Sequence, residues 1–195
     1  MKTKSRKKTS RFQLVVSPYG NFYYIERIRK LEALLARKPR SVQIDLLGIG
    51  EIPADSALLL RSVLMARSPK TRIVTNARSS LQGASVLVWL LGDRRMIRSD
   101  ARLFFRRSTL SENGEATEVW KDSEAKLLDS DDIDPEEADY AKVLQAINEF
   151  LPVRELAGRL IQLPVLRQFG LVENEKVDGF LASAFAKTEV SLAAR

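Results

Sequence analysis

The sequence predicts an α/β domain with a mostly parallel sheet and a C-terminal helical part. Three observations carry that expectation. Short apolar runs of strand length alternate with segments of helical period between residues 12 and 107, in the order β-α-β-α-β-α-β-β. The apolar fraction of 45% and charged fraction of 29% are values of globular chains. The 195 residues suit a single domain over 12–195, behind a basic disordered tail over 1–11.

Each element follows from local chemistry. Residues 12–17 (FQLVVS) read as a strand, closed by the turn residues Pro18, Tyr19, Gly20 and Asn21. Residues 22–38 read as a helix, with Ile25, Ile28, Leu31, Leu34 and Leu35 recurring at steps of three and four. The mostly apolar run 41–47 is a buried strand that Gly48 breaks. Asp55 or Ser56 is expected to cap a helix to Ala66, stopped by Ser68 and Pro69. Residues 71–75 form a third strand. Ser79 or Ser80 is expected to cap a third helix over 81–91, which is apolar on every side and so buried all round. Residues 95–97 and 101–107 read as further strands.

Residues 112–134 differ: they form a polar, acidic loop or insertion, with one weak helix near 118–128. Asp134, Pro135, Glu136 and Glu137 are a helix start, with a capping Asp, Pro in the first turn and acids facing the dipole. That helix runs to about Leu151, with Tyr140, Val143, Leu144, Ile147 and Leu151 on one side. Helical stretches follow at 153–161 and 164–169, then a short strand at 170–172 and a last helix over 177–185.

Composition excludes whole classes of chemistry. There is no Cys, hence no disulfide and no thiolate ligand or nucleophile. There is no His, so Ser-His-Asp and Cys-His catalysis are out. The net charge of +7 is segregated. Residues 1–11 carry six basic residues and no acid, residues 12–111 are +10, residues 112–139 are −10 and the remainder is +1. That pattern favours self-pairing or subunit pairing over nucleic acid. The tail lacks an apolar core and is not a secretory signal. The longest near-apolar stretch, 83–92, is far short of the ~20 residues that span a bilayer. A cytoplasmic, bacterial-type protein is expected.

Individual motifs are sparse. Gly48-Ile49-Gly50 follows a strand and precedes a helix, but lacks the third Gly or the Lys-Ser/Thr of a phosphate loop. Ser80 at a helix start is a conceivable nucleophile, with only Lys available as base. Lys121 and Lys126 sit among carboxylates, which favour the charged ammonium. The acidic run 129–139 lacks the central Gly of a calcium loop, so no metal and no cofactor are expected. Arg94, Arg95, Arg98, Arg102 and Arg106 form a dense basic set, read as a contact surface for an acidic partner segment.

The stretch 71–107 resembles the Clp protease proteolytic subunit, within the Clp protease/crotonase superfamily. Gln82-Gly83-Ala84, the buried helix, Arg95 and Ala101-Arg102 fall into that family's order without a gap. Arg159, Pro164 and Phe169-Gly170-Leu171-Val172 resemble its C-terminal run. The resemblance covers about residues 12–185 and implies repeated β-β-α/β-α-β units. Carried over residue by residue, it puts Leu81 at the nucleophile position, Arg106 at the His position and Gly158 at the Asp position. Gly48 and Gly83 are the remnants of the oxyanion turns, and Ile49 replaces a second glycine. The resemblance implies a degenerate, non-proteolytic subunit that assembles into homo- or hetero-oligomers, rings included. The acidic insertion departs from the family at its ring-stacking region.

Three alternatives stand beside it. A one-residue gap gives a Ser-Lys peptidase using Ser80. Residues 41–66 also resemble a STAS domain, with Ser56 as its phospho-switch. A crotonase-type acyl-CoA enzyme shares the fold and does not require His.

Overall fold

The computed structural model describes residues 9–16, 21–48, 51–105, 128, 137–157 and 159–172. Four parallel strands form the main sheet: β1 (Ser10–Val15), β2 (Ser41–Leu47), β3 (Arg72–Ala77) and β5 (Arg94–Ile97). They lie in the order β1-β2-β3-β5. Two further short strands, β4 (Leu81–Gln82) and β6 (Leu103–Phe104), pair in parallel as a second, two-stranded sheet. An antiparallel bridge joins Leu103 to Ile161.

The helices are α1 (Asn21–Ala36), α2 (Ala54–Met65), α3 (Ala84–Leu90), α4 (Ala138–Asn148), α5 (Val153–Leu156) and α6 (Leu163–Gln168). The strand order runs monotonically along the chain. Right-handed crossovers repeated in one direction set α1, α2 and α3 on the same face of the main sheet. Phe12, Leu14, Val42, Ile44, Leu46, Ile73 and Ala77 point to that face and are buried. Tyr24, Ile28, Leu31 and Leu35 of α1 and Leu60 and Leu64 of α2 complete the core.

Local chemistry explains the elements. β2 and β3 are the interior strands of the main sheet, each paired on both edges, and each is largely buried. α1 ends where Lys38 takes a left-handed φ of 51° ahead of Pro39. At the outer edge, β1 is blocked: Tyr23 Oη accepts the Val15 N–H at 3.1 Å, and Arg27 donates to the Gln13 carbonyl. These contacts occupy groups that would otherwise template another strand. All seven residues of α3 are buried, as its apolar sequence predicts. Thr75 Oγ1 donates to the Trp89 carbonyl at 2.6 Å, and Trp89 Nε1 to the Met96 carbonyl at 2.9 Å, which ties α3 to β3 and β5. Tyr140, Val143, Leu144 and Ile147 form the buried side of α4, as expected, with Leu151 beyond its end. α4 packs against both α2 and α3.

Several local expectations are corrected. Neither Ser79 nor Ser80 caps α3: residues 81–82 are a strand, and the helix begins only after Gly83, at φ 51° and ψ −130°. Pro53, not Asp55 or Ser56, precedes α2, and its fixed φ of −53° sets the entry. The strand expected at 170–172 is instead the turn that follows α6. Gly170 takes a φ of 66°, its N–H meets the Arg167 carbonyl and the Leu171 N–H meets the Leu166 carbonyl, closing the helix. α5 covers only the first residues of the stretch expected over 153–161. The helices expected at 118–128 and 177–185 lie outside the described residues, save Leu128, which is helical. No helix among the described residues is long and apolar enough to cross a membrane.

Candidate functional site

Three chain passages meet beyond the carboxyl ends of β2 and β3, the usual place for a site in a parallel sheet. The first is Gly48 with Glu51 and Ile52, the second Ser79–Ser80, and the third the turn from β4 into α3. Backbone pairing fixes that turn: the Leu81 N–H donates to the Arg102 carbonyl and the Gly83 N–H to the Phe104 carbonyl, each at 2.9 Å. Ser79 donates its hydroxyl to the Gly48 carbonyl. Ser80 is exposed, and its hydroxyl oxygen accepts the Arg102 N–H at 3.0 Å. Leu81 is fully buried and faces the core.

The start of α3 is stitched to the chain after Gly48 by reciprocal bonds. The Ala84 N–H donates to Glu51 Oε1 at 3.0 Å, and the Ile52 N–H donates to Ser85 Oγ at 2.9 Å. Glu51 and Ser85 are both buried. The two bonds satisfy one free N–H at the start of α3 and one in the chain after Gly48. The carboxylate lies against Gly83 so closely that a Cβ there would come within 1.9 Å of Oε1. An acid at a helix start is electrostatically favoured. Glu51 was missed from sequence, because a single Glu after a glycine turn carries no periodic signal.

A second polar cluster lies on the other face of the sheet. Asp45 is buried and accepts from Asn76 Nδ2 at 2.7 Å and Gln43 Nε2 at 2.9 Å, with Arg78 Nε at 3.5 Å. Burial alone pushes its carboxyl up. The hydrogen bonds from Gln43 and Asn76 and the Arg78 charge outweigh it and hold the group below the usual carboxylate range.

The structure divides the arginine set. Arg94 and Arg98 are exposed, and Arg98 pairs with Asp100. Arg95 turns to the helix side, where its guanidinium lies 5.4 Å from the Phe150 ring centroid and Nε donates to the Leu90 carbonyl at 2.9 Å. Burial lowers its pKa, and the Asp93 charge opposes that shift. Arg102 is half-buried and donates to the Ala101 carbonyl at 3.1 Å. Arg106 and Gly158 lie outside the described residues. Among the described residues no cluster of three metal-ligating side chains occurs.

These units, a one-directional parallel sheet plus a small second sheet flanking a buried helix, form an α/β fold of the ClpP type. The chain is similar to the ClpP protease catalytic domain from Plasmodium falciparum, with a TM-score of 0.53 and 12% identity over 86% of each chain. A point variant of ClpP1 from Listeria monocytogenes gives 0.54 and 13%, covering 87% of this chain and 93% of that one. ClpP1 from the same organism gives 0.46 and 9%, over 84% and 88%. At such identities the likeness establishes fold alone. No protein-family model matches the sequence, and no curated protein does.

Proposed function

We propose that the protein is a ClpP-like subunit that does not cleave peptides and acts by assembling with other subunits, of its own kind or a related one. One observation carries the reading: the Glu51 carboxylate fills the start of α3, 3.0 Å from the Ala84 N–H. A peptidase on this fold needs backbone N–H groups free to receive the oxyanion of a tetrahedral intermediate. Here the buried Glu51 side chain takes the Ala84 N–H beside Gly83, which the resemblance places in an oxyanion turn. The resemblance supports the same conclusion, since it aligns buried Leu81 with the nucleophile and assigns Arg106 and Gly158 to the other two triad positions. The three triad members act as a unit, so loss of all three leaves little hydrolysis.

The competing peptidase reading rests on Ser80, which is exposed. Among the described residues its hydroxyl bonds to Arg102, and none of the hydrogen bonds there joins it to a lysine. The phospho-switch reading requires kinase access to Ser56, which is 3% exposed. A fluorophosphonate probe separates the two principal readings. The non-proteolytic subunit takes no label and releases no peptide from casein. Labelling that disappears in Ser80→Ala would overturn it in favour of the peptidase.

A further inference from the structure

Among the described residues, α1, α2 and α3 all lie on one side, and no helix covers the opposite face of the main sheet, whereas parallel sheets are normally covered on both faces. Side-chain alternation places Arg11, Gln13 and Val15 of β1 there, with Gln43, Asp45 and Leu47 of β2. Arg72, Val74 and Asn76 continue the face on β3, and Arg94 and Met96 on β5. The register aligns Arg11, Gln43, Val74 and Arg94 in one row, and Gln13, Asp45, Asn76 and Met96 in the next. Val15 is 44% and Met96 37% exposed, and Arg11, Arg72 and Arg94 are exposed. Arg78 and Arg98 extend the alternation beyond the strand ends.

The face therefore combines open apolar patches with five arginines. Among the described residues its acids are Asp45, which is buried among its own partners, and Asp100 beside Arg98. Such a surface selects a polyanionic polypeptide that brings some apolar side chains. The chain itself encodes one: residues 112–139 hold 12 acidic and two basic residues, with Val119, Trp120, Leu127 and Leu128 among them. We propose that this sheet face docks the acidic stretch 112–139 of a second copy of the protein, a specific contact for the assembly reading on which it rests. Arginine is suited to the role because its planar fork meets carboxylates bidentately while its stem covers apolar surface.

The test uses the full chain and a charge swap, read by native mass at about 50 mM and about 500 mM salt, where screening differs strongly. One variant is Arg11→Glu/Arg72→Glu, on the sheet face. The other is Asp129→Lys/Asp131→Lys/Asp132→Lys, in the acidic stretch. The wild type is expected to be oligomeric at low salt and to weaken at high salt. Each variant alone is expected to weaken association about tenfold or more, and their mixture to restore it. Arg61→Glu, which breaks the exposed pair with Glu149 away from this face, is expected to leave association unchanged. An oligomer indifferent to both variants overturns the docking surface and leaves the assembly reading standing. A strictly monomeric wild type at both salts overturns both. Association abolished by nuclease overturns the proposal in favour of a nucleic-acid occupant, and failure of the mixture to reassemble overturns the pairing of the two segments.

Discussion

Gly83 sits where three demands meet: a left-handed φ of 51°, a turn from strand to helix, and a carboxylate in the space of a side chain. Gly83→Ala is expected to cost about 2–3 kcal/mol, from backbone strain together with displacement of Glu51. Urea unfolding measures it. In a Glu51→Ala background the same substitution should cost about 1 kcal/mol less, because the clash is gone and only the strain remains. Equal costs in both backgrounds would mean that Glu51 does not press on this turn. Asp45 makes the residue-scale argument for pH. Its folded pKa lies below the unfolded value, so its contribution is present above pH about 4 and is lost as pH falls through the folded value. Asp45→Asn should lower stability at pH 7 and flatten the acid limb of the stability profile. A variant whose loss is the same at pH 7 and below pH 3 would contradict the assignment.

At the scale of elements, α3 is the pin of the fold. A seven-residue helix has little stability by itself, so burial and tertiary bonds must hold it. Among the described residues Trp89 supplies the largest fully buried side chain and a bond to the Met96 carbonyl, and Trp89→Ala is expected to cost about 3–5 kcal/mol by thermal or chemical denaturation. Thr75→Val removes the bond to the Trp89 carbonyl at nearly constant shape and should cost about 1–2 kcal/mol. Most of this was legible beforehand. The period of three and four placed α1, the apolar run placed β2, and the uniformly apolar stretch placed α3 as a buried helix. The start of α3 was not legible, because β4 has two residues and no alternation can register over two. The end of α6 was misread because Gly170-Leu171-Val172 has the composition of a strand, while its glycine adopts the left-handed turn of a helix end. The candidate site was harder still. Gly48, Gly83 and the buried Leu81 could be named from pattern, but Glu51 meets α3 only through the tertiary path of the chain. The arginines that share a face with Arg94, namely Arg11 and Arg72, belong to other strands. Only the sheet register shows that they lie together.

At the scale of the molecule, one contiguous apolar cluster runs from Phe12 to Leu171. It takes in the sheet, α1, α2 and α3, and then α4, α5 and α6, so the C-terminal helices share a core with the sheet. The bridge between Leu103 and Ile161 fastens the connection between α5 and α6 to β6. Cooperative unfolding follows from such sharing: removing α4 would expose α2 and α3, which the sheet needs for its own cover. The sequence holds two tryptophans, so Trp120→Phe leaves Trp89 as the sole emitter, inside α3. In that background, Trp89 fluorescence and far-UV circular dichroism should report one urea midpoint. Leu144→Ala, at a fully buried position of α4, should lower both midpoints together, by an amount equivalent to about 2–4 kcal/mol. Separation of the two midpoints, with helicity lost before Trp89 is exposed, would show that the C-terminal helices form a unit of their own. It would replace a single domain over 12–195 with two.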